Sequence, residues 1–179
     1  MAGLPGAGKS SVAGMLGQRL AAPVVSVDPI EAAMWRAGVA RSEPTGLAAY
    51  FVAEAVADDV LALGQTVIVD AVNAVEPARA QWRSLADRRG VPVAFIEVVC
   101  SDPAMHRRRL ERRSRNIEGF VEPTWDAVQR LRGEFEAWVD DHRLVLDSVT
   151  DLSSNVATAL DVLAALRSPG GPVREGAIA

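Results

Sequence analysis

Eight residues near the start of the chain, Gly3-Leu4-Pro5-Gly6-Ala7-Gly8-Lys9-Ser10, match the pattern G-x-x-x-x-G-K-[ST] at every fixed position. The chemistry this pattern suits is the cradling of nucleotide phosphates. Glycines let the backbone turn several N–H groups onto phosphate oxygens, and a helix that follows adds the positive end of its dipole. Lys9 is placed to reach the β- and γ-phosphates, and the Ser10 hydroxyl to bind Mg2+. Gly3, Pro5, Gly6, Ala7, Gly8, Lys9, Ser10 and Ser11 are therefore read as nucleotide-binding residues, for ATP or GTP. Composition singles out the same spot. Of 19 basic residues, 18 are arginine and the remaining one is Lys9. A compact ammonium does a job in such a loop that the wider guanidinium fork does badly.

Two acids follow apolar runs. Asp70 closes Thr66-Val-Ile-Val-Asp70, the Walker-B form, in which a carboxylate at the C-terminal end of a strand meets Mg2+ or its water. A turn or helix-capping aspartate is the plainer alternative. Asp28 closes Val24-Val-Ser-Val in the same way, about twenty residues beyond the glycine loop. A carboxylate there is positioned to take the proton from a substrate hydroxyl as its oxygen attacks phosphorus. Asp28-Pro29 is also a good helix start, and one residue can serve as both.

These side chains need elements to aim them. Strands are predicted over Pro23–Val27, Thr66–Asp70, Val91–Val99 and Arg143–Asp147. Helices are predicted over Ser10–Leu20, Pro29–Ala40, Pro44–Leu63, Glu76–Arg89, Pro103–Arg115, Glu122–Val139 and Ser153–Leu166. Near-continuous Val/Ile/Leu strands alternating with helices predict a parallel sheet covered on both faces, a three-layer α/β/α arrangement. Ligands bind such sheets at the C-terminal strand ends. One element is missing from this pattern. A phosphate loop of this kind follows a buried strand, yet only Met1 and Ala2 precede Gly3, and a strand usually has about five or six residues. The expectation is a first strand missing or truncated, either because the natural start lies upstream or because the protein lacks that strand. The strands at Thr66–Asp70 and Val91–Val99 are expected to flank its place.

The chain has 179 residues, 49% hydrophobic and 23% charged, with a net charge of -4, as in one ordinary globular domain. Residues 1–167 are read as that domain, and 168–179, rich in Gly and Pro, as a disordered tail. No apolar run is long enough to span a bilayer, and the start is not a signal peptide, so a cytoplasmic protein without membrane partners is expected. A single cysteine, Cys100, excludes an internal disulfide and a cysteine cluster for zinc. The net charge disfavours nucleic acid as a partner. Charge is concentrated in His106–Arg115, with six arginines against one glutamate, which alone reads equally as a solvated helix face. Asn73 and Arg79 are weaker candidates for contact with an acceptor, with a turn asparagine and a surface-helix arginine as equal alternatives. Trp35, Trp125 and Trp138 fit core packing better than a pocket wall, and His106 and His142 fit surface positions.

The loop GLPGAGKS, the strand end Ser26–Asp28, the segment Val67–Ala71, the stretch SDPAMHRRRLERR and the late strand RLVLDS resemble the small P-loop kinases of the zeta-toxin, polynucleotide-kinase and chloramphenicol-phosphotransferase group, AAA-type ATP-binding proteins in broader terms. The resemblance runs from Gly3 to about Leu166. It implies the P-loop NTPase fold and an ATP-dependent transfer of the γ-phosphate, with Mg2+, to a hydroxyl of a small-molecule acceptor. It also implies Asp28 as the base and a lid around residues 106–121. On that lid, Arg109 would stack on the adenine or hold phosphates, and Arg113 would offset charge on the transferring group; Arg112 and Arg115 are the neighbours that could substitute. The same parts would serve a polynucleotide or nucleotide-sugar kinase, or a nucleotide-hydrolysing module that transfers nothing.

Overall fold

A computed structural model describes residues 1–113, 117–138 and 142–167. The proposed tail, Arg115 and Val139 lie outside the described residues, and the helix predicted over Glu122–Val139 is confined to Trp125–Glu134. Among the described residues there are four strands: β1 Val24–Ser26, β2 Ile68–Asp70, β3 Phe95–Val99 and β4 Arg143–Asp147. Seven helices accompany them: α1 Lys9–Leu20, α2 Val27–Arg36, α3 Thr45–Ala62, α4 Glu76–Arg89, α5 Pro103–Arg112, α6 Trp125–Glu134 and α7 Leu152–Arg167. β1 pairs in parallel with β2, Ser26 opposite Asp70. β3 pairs in parallel with β4, Phe95 opposite Arg143.

The two pairs meet through the first three residues. Met1 donates its amino N–H to Val69 O (2.6 Å) and Gly3 N–H donates to Val72 O (3.1 Å). On the other side Ala2 N–H donates to Ile96 O (2.8 Å) and Val98 N–H to Ala2 O (2.9 Å), a parallel bridge to Glu97. The expected flanking strands therefore do flank the expected place, which Met1 to Gly3 occupy.

Each face of this layer carries its own core, because side chains alternate along a strand. Ile96 and Val98 of β3 pack with Val12 and Leu16 of α1 and Val156 and Ala159 of α7. Phe95 points to the opposite face, against Trp82 and Leu85 of α4 and the alanines of α3. Ala49, Ala53 and Ala57 recur every four residues and are fully buried, so α3 presents a narrow stripe without bulk.

Upstream of Met1 the layer opens into a cavity of about 380 Å³. Its walls include Thr66, Val67, Val93, Ala94, Ile96 and Leu163. In a chain that starts at Met1, the amino group at its rim has a pKa lowered from 8.0 to about 6, chiefly by burial; Asp70 opposes the shift and Lys9 adds to it. The folded state thus favours the neutral amine, while the unfolded chain binds a proton up to about pH 8. Stability should therefore rise from pH 6 to pH 8, by about 2 kcal/mol. Denaturant melts across that range should show the rise. A six-residue β-branched extension joined to Met1 replaces the ammonium with an amide and fills the cavity. It should raise Tm and abolish this part of the pH dependence; an unchanged Tm would mean the cavity does not accept a strand.

Candidate active site

The glycine loop leaves the sheet between β2 and β3 and turns directly into α1. Gly3, at φ +128°, passes so close to β3 that a Cβ would lie 2.2 Å from Val98 O, so no larger residue fits. Its N–H is engaged by Val72 O. Gly8 caps α1 in the left-handed region at φ +107°. The first-turn N–H groups of a helix have no intrahelical acceptor and face outward from its N-terminus. Ser11 N–H, by contrast, already bonds Gly8 O (3.1 Å) and Ala7 N–H bonds Leu4 O (3.1 Å). Lys9, only 7% exposed, stretches Nζ back across the loop to Leu4 O (3.1 Å).

Parallel pairing brings the two strand-end acids to this loop. Ser10 Oγ donates to Asp70 Oδ2 (2.6 Å), while Asp70 Oδ1 is buried with no hydrogen-bond partner among the described residues. A buried carboxylate oxygen left in that state is costly. A hydroxyl beside a carboxylate is a hard-oxygen donor set that suits Mg2+, which keeps several waters and takes one or two protein ligands plus phosphate oxygens. The residues therefore fit the metal that the loop implies. Asp28 lies two residues beyond Ser26, the partner of Asp70, in the first turn of α2 rather than at the tip of a strand. The helix begins at Val27, earlier than Pro29 suggests, because proline is tolerated in a first turn.

A cavity of about 260 Å³ gathers Lys9, Ser10, Asp28, Asp70 and Arg113, walled by Ile117. Arg113 follows α5 and forms an ion pair with Glu122 (3.7 Å). Arg109 does not line this cavity. It is held beyond the loop, donating Nη1 to Ser148 Oγ (2.7 Å) and Nη2 to Ser148 O (3.0 Å). Ser148 also lies under Gly8. Arg112 is exposed.

Asn73 and Arg79 turn out to be architecture. Asn73 adopts φ +51°, donates Nδ2 to Met1 O (2.7 Å) and accepts from Trp82 Nε1 (2.9 Å). Arg79 is fully buried and donates to the carbonyls of Asn73, Ala74, Glu136 and Ala137. Its guanidinium lies over the ring of Trp138, 3.9 Å from the centroid. Trp35 stacks on Phe120 (5.8 Å), and Arg36 and Arg41 donate to Glu118 O and Gly119 O, so residues 118–120 lie against α2.

Two neighbours of the site carried no signal in the sequence. Tyr50 accepts from Asn73 N–H (3.1 Å); burial raises its pKa, and the charges of Asp28 and Asp70 add to the rise, so it is a neutral phenol. His106 is buried against the glycine loop rather than on the surface, its Nε2 2.8 Å from Pro5 O. A histidine inside an arginine run gives no hint of that from spacing alone.

Residues 1–137 match a protein-family model described as an AAA domain. No curated protein matches the sequence. Solved structures, two of them of kinases, share the fold. A sugar kinase from a Janibacter species is 17% identical, with a TM-score of 0.67 over 90% of this chain and 91% of that one. The Mycobacterium tuberculosis APS kinase CysC, in complex with AMPPNP and APS, is 20% identical, with a TM-score of 0.67 over 91% and 94%. Chaetomium thermophilum Kti12, in complex with ADP-AlF3, is 20% identical, with a TM-score of 0.72 over 94% and 97%.

The Ser10–Asp70 pair generates a direct test. ATP should raise the Tm of the protein, and Mg2+ should add a second increment. Asp70→Asn should keep the first shift and lose the second in a thermal-shift titration. A full Mg2+ increment in the variant would remove Asp70 from the metal site.

Proposed function

From the premise that this chain belongs to the AAA-domain family, we propose that it is an ATP-dependent phosphotransferase that moves the γ-phosphate to a hydroxyl of a small-molecule acceptor. The observation that carries this reading is the gathering of Asp28 with Lys9, Ser10, Asp70 and Arg113 around one cavity. A phosphate-binding loop alone serves hydrolysis or a mechanical switch equally well. A carboxylate facing the same space from a different helix supplies a base for an incoming hydroxyl.

In the proposed reaction the hydroxyl gives its proton to Asp28 as its oxygen bonds to the γ-phosphorus. The bond from that phosphorus to the β–γ bridging oxygen breaks, and ADP leaves with the electron pair. Lys9 and Arg113 offset the charge that spreads over the equatorial oxygens. Ser10 and Asp70 would hold Mg2+, which when bound would further neutralise the phosphate oxygens. Residues 106–121 form the lid in this reading, Arg113 entering the site from it, with Arg109 toward the base of the nucleotide beside Ser148. The cavity volume of about 260 Å³ favours a compact acceptor, in keeping with the sugar kinase and the APS kinase among the similar structures. No helix among the described residues is long and apolar enough to cross a membrane.

Lys9→Ala should abolish phosphoryl transfer with the fold intact, and Lys9→Arg should also be poor, because the guanidinium is too wide for the loop. Wild-type turnover in Lys9→Ala, with an unchanged circular dichroism spectrum, would refute the reading of the loop. Asp28→Asn should lower turnover about 10²-fold or more, with ATP affinity little changed. ADP release measured against a panel of hydroxylated acceptors decides this, and undiminished turnover would leave Asp28 only a place in the first turn of α2.

A further inference from the structure

His106 sits in the second turn of α5 and is 1% exposed. Three contacts from two elements meet on its ring. Nε2 lies 2.8 Å from Pro5 O in the glycine loop. Trp125, the first residue of α6, packs edge-on at 5.3 Å and 86°. Arg132, also on α6, directs Nη2 toward Nδ1 at 3.4 Å. A carbonyl oxygen only accepts, so Nε2 carries the proton toward Pro5; a guanidinium only donates, so Nδ1 offers its lone pair toward Arg132. One neutral tautomer satisfies both contacts. Burial holds the pKa of His106 below the ordinary imidazole value. The Pro5 hydrogen bond opposes the shift, and the positive charges of Arg132, Lys9 and Arg109 reinforce it.

The oxygen that His106 holds belongs to a peptide whose other end matters. A trans peptide is planar, so the C=O of Pro5 and the N–H of Gly6 point in opposite directions. Gly6 has φ +83°, and a Cβ there would stand 3.2 Å from Leu110 and 3.3 Å from the His106 ring. That residue must be glycine to pass α5, and glycine leaves the peptide free to rotate. The neighbouring carbonyl, Leu4 O, is already fixed by Ala7 N–H and Lys9 Nζ. Pro5 O is the next carbonyl along, and His106 is the side chain that holds it.

We propose that His106 is a positioning residue for nucleotide binding: by fixing the Pro5–Gly6 peptide it aims the Gly6 N–H away from α5 and into the phosphate-binding concavity. This rests on the phosphotransferase reading only in taking the loop's ligand to be a nucleotide. The same contact ties loop geometry to α5, the helix that carries Arg109 and leads into Arg113.

Isothermal titration with ATP on the full chain tests this. His106→Phe keeps the bulk of the ring and removes the donor; it should weaken ATP affinity about tenfold, the cost of one misdirected phosphate contact, and raise KM for ATP with kcat at saturation within about twofold. His106→Gln reaches as far as Nε2 and should bring affinity back to within about threefold of wild type, whereas His106→Asn, one carbon shorter, should not. Packing alone predicts a lower Tm, unchanged ATP affinity in the folded protein and no difference between Gln and Asn. Should the Phe variant fail to fold, the Gln–Asn pair still decides, and equal affinities for that pair overturn the proposal. A wild-type protein that does not bind ATP overturns the reading of the loop itself, an outcome distinct from wild-type binding that His106 variants leave unchanged.

Discussion

The constraint on which everything else depends is the joining of the two strand pairs by Met1, Ala2 and Gly3. β1 with β2 and β3 with β4 each form a complete parallel pair, and the described hydrogen bonds between the halves run through those three residues. The same residues lead into the glycine loop, so the position of the loop relative to Asp70 on one half and to β3 on the other is set by four backbone hydrogen bonds. Asn73 reinforces the join by holding Met1 O and receiving Trp82. Buried backbone groups need partners, and here the partners also locate the phosphates.

From that join the site assembles by short covalent steps. Asp70 ends β2 and Asp28 follows β1 by two residues, so strand pairing alone brings both acids near Ser10. Arg113 arrives from the other half of the sheet, through β3 and α5. The cavity thus draws one charge sign from each side: acids from β1 and β2, a guanidinium from the arm beyond β3. In phosphoryl transfer the acids handle proton and metal while cations meet the phosphate oxygens, and the division of the sheet keeps these two jobs on separate elements.

Local pattern made much of this legible. The loop motif, the strand ends at Asp28 and Asp70, and the alternation of apolar strands with helices all depend on neighbours in sequence. β4 and α4 match their predicted limits at both ends. That β2 and β3 would flank the residues before Gly3 was also legible, because a loop of this kind follows a strand between neighbours. What could not be read were contacts between distant segments. Arg79 looked like a surface helix residue, since nothing nearby shows that the backbone at Glu136 and Ala137 returns to receive it. His106 looked solvated inside its arginine run, because the partner that buries it, Pro5, is 101 positions away. The bonds of Arg109 to Ser148 depend on where the β4–α7 turn lies. Strands predicted from composition ran long at their N-terminal ends. Thr66 and Val67, and Val91 to Ala94, border the large cavity and lie outside β2 and β3.

The solitary lysine gives the molecule an unusual chemical profile. Arginine is inert to acylating reagents at neutral pH, because its guanidinium stays protonated. A chain beginning at Met1 therefore offers such reagents two amines, the terminal one and Lys9, each exposing less than a tenth of its residue surface. Every modification of a side-chain amine reports on a single address inside the glycine loop. Mass added at that address counts how often the loop is accessible, and the protection given by a bound nucleotide measures occupancy without any engineered label.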